Sequence, residues 1–155
     1  MSTAFQIVPI ETQVAERARR LRLDEQGQPV VARVADDGGF PCRHCLTDAV
    51  PGETMLLFSH SPFTSGGPYR EFGPIYVHER TCTRRAPSAE IPEQLRRRLL
   101  ALRGYDRDGN MVAADVVDGK EMDPLVQSFL AREDVAFVHV RNARPGCFAC
   151  AIVRV

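Results

Sequence analysis

The stretch LLALRGYDRDGNMVAADVV, residues 99–117, decides the fold. Its two apolar runs, Leu99 to Tyr105 and Met111 to Val117, have the length of strands. Between them lies the Asp108-Gly109 pair, which is typical of the turns that join adjacent strands. The stretch therefore predicts a β-hairpin, and with it a sheet that contains antiparallel strands.

Toward the C-terminus, the chain carries the clearest helical pattern, because apolar residues recur there at intervals of three and four. These residues are Met122, Leu125, Val126, Phe129 and Leu130. Two further strands are predicted at 135–140 and 148–155, joined by a turn at 142–146. The hairpin is thus followed by one helix and a second pair of strands.

Toward the N-terminus, strands and helices are mixed without the regular alternation that a doubly wound parallel fold requires. We expect an α+β fold in one domain, residues 1–155, with an antiparallel or mixed sheet covered by two or three helices. The predicted strands are 5–9, 30–34, 55–58 and 75–77, and the predicted helices are 11–23 and 92–98.

Composition excludes several classes of protein. Lysine plus arginine number 20 and aspartate plus glutamate also number 20, so the basic excess that favours binding to nucleic acid or anionic lipid is missing. No apolar run approaches the roughly 20 residues of a spanning helix, and residues 1–10 lack a signal-peptide pattern. We therefore expect a cytoplasmic protein with no nucleic-acid or membrane partner. Motifs of the common nucleotide-binding and serine-hydrolase sites are also absent from the sequence.

Cysteine spacing is the one chemically unusual feature. Five cysteines are present, an odd number that favours thiols or metal ligands over a disulfide framework. Two C-x-x-C pairs occur. A tight loop of that spacing can direct two thiolates at one metal ion. The pairs are Cys42 with Cys45 and Cys147 with Cys150, and the fifth cysteine, Cys82, lies four residues after His78.

Zinc is the metal that such a ligand set would hold, and it requires four ligands. Two sets satisfy this requirement, and the sequence leaves the choice between them open. The first set is Cys42, Cys45, Cys147 and Cys150, and the second is Cys42, Cys45, His78 and Cys82.

Two other chemistries compete with metal binding. In a thiol-dependent enzyme or redox protein, Cys42 would be the nucleophile, His78 or His44 its base, and Arg43 a charge that stabilises the thiolate. In a purely structural or interaction domain, the cysteines would be small buried apolar residues, as free cysteines usually are. A histidine in an apolar run, such as His139, is also commonly a hydrogen-bonded core residue.

A ligand pocket is predicted where the loop at 42–46, the loop at 61–71 and the strand ending at His78 meet. Loops rich in serine, glycine and proline, such as 61–68, carry binding groups more often than strands do. The pocket would bind a metal ion or a small molecule. Its candidate polar residues are Arg43, Arg70, Arg141 and Asn142.

Several phrases spread over most of the chain, in the same order, resemble the bacterial domain-of-unknown-function family 1203. The phrases are Pro41-Cys42-Arg43-His44-Cys45-Leu46, Pro51-Gly52-Glu53, Ser61-Pro62-Phe63, Pro68-Tyr69-Arg70-Glu71, Gly73-Pro74-Ile75-Tyr76-Val77-His78 and His139-Val140-Arg141-Asn142-Ala143-Arg144-Pro145-Gly146-Cys147. The resemblance implies no assigned activity. It gives more weight to the first cysteine of each pair than to the second, which favours Cys42, Arg43, His78 and Cys147 as functional residues.

Overall fold

The computed structural model describes residues 2–155, in which eight strands and three α-helices alternate irregularly. The hairpin at 99–118, the helix that follows it and the two C-terminal strands confirm the predictions made for them. The elements are β1 Phe5–Val8, α1 Thr12–Leu21, β2 Val31–Val34, β3 Thr54–His60, β4 Gly73–His78, α2 Glu93–Arg96, β5 Leu99–Tyr105, β6 Met111–Asp118, a 3-10 turn Gly119–Glu121, α3 Met122–Leu130, β7 Phe137–Asn142 and β8 Phe148–Arg154.

The strands form two antiparallel sheets, one of five strands in the order β1-β8-β7-β5-β6 and one of three in the order β2-β3-β4. The antiparallel alternative is thus correct, but the expectation of one sheet is wrong. The buried apolar side chains form two clusters, one mainly under each sheet, and Phe148 of β8 packs into the cluster of the three-stranded sheet. The apolar runs in the sequence predict where strands lie, but they do not show which strands pair by hydrogen bonds. The division into two sheets could therefore not be predicted from them.

Each sheet is covered by one longer helix. Four residues of α3, among them Met122 and Phe129, are buried against the five-stranded sheet. Ala15 and Ala18 of α1 are buried with the residues of the three-stranded sheet, and their small side chains allow the helix to approach closely. None of the helices within residues 2–155 has the length and apolarity needed to cross a membrane.

His139 of β7 is one of the buried polar residues between the sheets. Its ring centroid lies 4.9 Å from that of Phe63 and 5.1 Å from that of Tyr105. Burial, followed by the positive charges of Arg141 and Arg103, lowers the pKa of His139 to about 3. His139 is therefore a neutral core residue at physiological pH, as its apolar run predicts, but it is not fully hydrogen-bonded, because its Nδ1 has no partner among residues 2–155.

Candidate metal centre

The first C-x-x-C pair lies in a tight turn that follows β2. The N–H of Cys42 donates to the carbonyl of Thr47 at 3.0 Å, and the N–H of Leu46 donates to the carbonyl of Cys42 at 3.1 Å. Leu46 has φ +57°, an uncommon left-handed conformation for a leucine, which lets the chain reverse after the second cysteine. The N–H of Arg43 donates to the carbonyl of Tyr76 at 2.9 Å and so attaches the turn to β4.

That attachment places the turn beside the last residue of β4, His78, and beside Cys82 in the segment that follows. The Sγ atoms of Cys42 and Cys82 are 3.9 Å apart, and Cys45 Sγ lies 3.6 Å from Nδ1 of His78. One ligand atom from each of the four residues lies within 4.8 Å of all the others. The structure therefore assembles the second of the two predicted ligand sets.

These separations fit a single tetrahedral zinc ion. Bonds of about 2.3 Å to sulfur and about 2.0–2.1 Å to nitrogen separate two sulfur ligands by roughly 3.8 Å, and a sulfur and a nitrogen ligand by roughly 3.6 Å. The observed distances of 3.9 Å and 3.6 Å differ from those values by little. The side chains would need only small rotations to bind the ion.

The four ligand residues are well shielded from water. Cys42 and His78 are both 0% exposed, and Cys45 and Cys82 are half-buried. Hydrogen bonds with Cys42 and Cys82 lower the pKa of the Cys45 thiol, whereas hydrogen bonds with Cys42 and Cys45 raise the pKa of Cys82. Hydrogen bonds with Cys42 and Cys45 also raise the pKa of His78 to about 9. The cluster thus favours a positive charge at its centre.

Cys82 receives two further hydrogen bonds from residues outside the cluster. Nη2 of Arg19 lies 3.2 Å from its Sγ, and Nδ1 of His44 lies 3.1 Å from it. Oγ1 of Thr12 is 2.9 Å from Nε2 of His44, and in the tautomer with a proton on Nδ1 the ring would donate to the sulfur and accept from the hydroxyl. Burial, followed by the charge of Arg19, lowers the pKa of His44, which favours a neutral ring.

Behind His78 lies a carboxylate. Oε1 of Glu53 is 3.5 Å from Nε2 of His78, which has no hydrogen-bond partner among residues 2–155. Oε2 of Glu53 accepts from Arg80 at 2.8 Å. A carboxylate on the far side of a histidine ligand commonly orients the ring and fixes its tautomer, and Glu53 occupies that position here.

Cys147 and Cys150 are not brought to the cluster. Cys150 is 0% exposed in the core of the five-stranded sheet, where burial raises its pKa to about 12. Cys147 precedes β8, and its Sγ accepts from Nη2 of Arg43 at 3.0 Å. Two cysteines three residues apart at the start of a strand face different surroundings, so the first predicted ligand set is not assembled.

Only two of the four predicted binding residues lie together. Arg43 and Asn142 line a cavity of about 530 Å³ beside the C-x-x-C turn, together with Cys147. Arg141 is instead buried and forms an ion pair with Glu71. Arg70 is exposed, with its guanidinium 5.6 Å above the ring of Phe72. The loop at 61–71 contributes no residue to this cavity, so the predicted three-part pocket is not formed there.

Sequence reasoning missed the residues that support the cluster, namely Arg19, Thr12 and Glu53. The arginines of α1 predict a solvated helix face, and Arg20 and Arg22 fit that prediction. Arg19 does not, since its side chain is only 7% exposed and its Nε donates to the carbonyl of His78 at 3.0 Å. No spacing rule connects a helix residue to a cysteine 63 positions later.

Comparison with known proteins identifies one similarity. The family model described as "Protein of unknown function (DUF1203)" matches residues 39–154, a range that contains all four residues of the cluster. No curated protein and no solved structure matches the chain. The geometry of the site is therefore the main guide to function.

Proposed function

The chain belongs to the DUF1203 family of proteins of unknown function, and we propose that it binds one zinc ion through Cys42, Cys45, His78 and Cys82. The observation that carries this proposal is the convergence of the four ligand atoms within 4.8 Å. They come from three separate segments, the turn at 42–45, the end of β4 and the segment that contains Cys82.

The donor set favours zinc over the other common divalent ions. Three sulfurs and one imidazole nitrogen are poor ligands for calcium and magnesium, which prefer oxygen. Tetrahedral sites rich in thiolate usually hold zinc or iron. Because the ligand atoms span less than 5 Å, they fit one ion better than a cluster of several metal atoms.

The role that fits this site is structural. Four protein ligands complete the tetrahedral shell, whereas a catalytic zinc keeps one position for water or substrate. Three thiolates and one zinc ion leave a net charge of about −1. Arg19, which donates to Cys82 at 3.2 Å and also pairs with Glu16 at 2.8 Å, offsets part of that charge. The ion would hold the C-x-x-C turn, and with it Arg43, in a fixed position against β4.

Metal analysis of untagged protein tests the proposal. We expect one zinc per chain in the wild type and close to none in Cys45→Ser and Cys82→Ser, whose positions are half-buried and tolerate serine. Cys147→Ser is the matched control, because this half-buried cysteine lies outside the cluster. It should retain one zinc. Wild-type protein without zinc after growth in zinc-supplemented medium, or full occupancy in both ligand variants, would contradict the proposal.

The alternative of a thiol enzyme requires a nucleophile that a substrate can reach. Cys42 is 0% exposed, and both ring nitrogens of His44 already have partners in Cys82 and Thr12. These contacts favour the metal site. The same zinc analysis separates the two, because a nucleophilic Cys42 must be free of metal and should react with iodoacetamide in the native protein.

A further inference from the structure

A cavity of about 530 Å³ lies beside the C-x-x-C turn. Its volume lies within the range of about 300–1,000 Å³ that is typical of small-molecule sites. None of the four residues of the metal cluster lines it. The cavity is therefore separate from the four ligand residues.

The cavity is lined by four arginines, Arg43, Arg97, Arg98 and Arg144, and by no aspartate, glutamate or histidine. Arg97 and Arg98 form ion pairs with Asp48, which lies outside the lining. Arg43 and Arg144 have no carboxylate within 4.0 Å among residues 2–155. One carboxylate for four guanidinium groups leaves the cavity with an excess of positive charge.

One of the four positive charges, that of Arg43, is buried, and it has no carboxylate partner in the described part of the chain. Its side chain is 1% exposed, and its guanidinium donates to the carbonyl of Phe148 at 2.7 Å, the carbonyl of Pro41 at 2.6 Å and Sγ of Cys147 at 3.0 Å. These partners satisfy hydrogen bonds without supplying a carboxylate charge. A buried cation is stable when an anion is close, and a bound anionic ligand would supply one.

Other lining residues indicate which uncharged groups the ligand would carry. Leu57, Pro74 and Tyr76 give the cavity an apolar wall. Asn142 also lines it, and its buried side-chain oxygen, which has no hydrogen-bond partner among residues 2–155, would accept from a donor group of the ligand and not contact its anionic group. Gly39 lets Arg98 approach, because a Cβ at this position would lie 2.8 Å from Nη2 of Arg98.

We propose that this cavity binds a small organic anion. Its phosphate or carboxylate group contacts Arg97, Arg98 and Arg144 above the buried charge of Arg43, and its apolar body lies against Leu57 and its neighbours. Guanidinium groups bind both kinds of oxyanion in a bidentate manner, and the apolar wall selects an organic anion over an inorganic one.

Alkylation of Cys147 tests this proposal, because this half-buried thiol lines the cavity. Protein with its native metal content is treated with iodoacetamide, which is uncharged, and the modification of Cys147 is followed by mass spectrometry. The probes are phenyl phosphate, phenylacetate, inorganic phosphate and benzyl alcohol, each at up to about 10 mM, since small ligands bind weakly. The first two probes compare the two headgroups, the third omits the apolar body, and the fourth omits the charge.

We expect phenyl phosphate or phenylacetate to slow the alkylation in a saturable manner, with inorganic phosphate about tenfold weaker and benzyl alcohol without effect. Arg144→Gln should weaken protection about threefold, because an exposed charge makes a modest contribution. Arg107→Gln, an exposed arginine at the opposite end of β5, is the matched control and should leave protection unchanged.

Three results would overturn the proposal. They are no protection by either organic anion, equal protection by phenyl phosphate and inorganic phosphate, and equal protection in wild type and Arg144→Gln. Zinc content is measured on the same samples. Because the readout is Cys147 and not a cluster residue, failure of this proposal is distinguishable from failure of the zinc proposal.

Discussion

Replacing Arg19 with glutamine should weaken zinc binding even though Arg19 is not a ligand. Its Nη2 lies 3.2 Å from Sγ of Cys82, its Nε donates to the carbonyl of His78, and its side chain is 7% exposed. Zinc with three thiolates leaves a net negative charge that this guanidinium offsets in part, since it also pairs with the partly exposed Glu16 at 2.8 Å. Glutamine removes the positive charge while retaining a polar side chain.

The magnitude follows from the distance. We take the charge of about −1 as shared equally by three sulfurs and use an effective dielectric constant of about 20. At 3.2 Å, Arg19 and one sulfur then attract each other by about 1.7 kcal/mol. That energy corresponds to about a 20-fold change in dissociation constant, within the 10- to 100-fold loss typical of residues that support metal ligands.

Competition with a fluorescent zinc chelator measures this effect. Arg20→Gln is the matched control, because Arg20 lies on the same helix and is exposed, and it should bind zinc like the wild type. Arg19→Lys keeps the charge and should recover part of the affinity. Equal affinity in Arg19→Gln, Arg20→Gln and wild type would refute the electrostatic role assigned to Arg19.

Two further predictions concern stability. Gly119→Ala should destabilise the fold by roughly 1–3 kcal/mol in urea unfolding, because a Cβ would lie 1.9 Å from the carbonyl oxygen of Leu95. Gly73→Ala meets nothing within 4 Å and should change stability little; equal losses in the two variants would contradict this account. His139, with a folded pKa of about 3 against an ordinary 6.5, binds fewer protons when folded, so its contribution is complete above pH 6.5 and is lost as pH falls toward 3. At pH 5 the stability lost in this way is about 2 kcal/mol. His139→Phe should remove this loss from the pH dependence of unfolding, and an identical pH dependence in both proteins would disprove the assignment.

Local signals predicted most of the secondary structure. Asp108-Gly109 marks the β5–β6 turn, and Gly109 adopts φ +83°, as such a turn requires. The spacing of apolar residues likewise located α3 and the strand ending at His78. Pairing between distant strands was beyond these signals. β1 pairs with β8, so that Phe5 lies opposite Arg154, and no local pattern specifies that contact.

In the candidate site, too, local spacing was predictable and contacts between distant segments were not. The sequence identified Cys42, Cys45, His78 and Cys82 as one of two ligand sets, because cysteine spacing is visible in one dimension. The choice between the sets depends on the hydrogen bond from Arg43 to Tyr76, which attaches the turn to β4. That contact joins residues 33 positions apart and could only be found in three dimensions.

X-ray absorption at the zinc edge, on untagged protein with its native metal, tests the central claim most directly. We predict a first shell of about three sulfurs near 2.3 Å and one nitrogen near 2.0–2.1 Å. Cys147→Ser should leave this shell unchanged, and Cys82→Ser should remove the zinc signal. A shell of oxygen and nitrogen, or four sulfurs at the zinc, would contradict the Cys42, Cys45, His78 and Cys82 site.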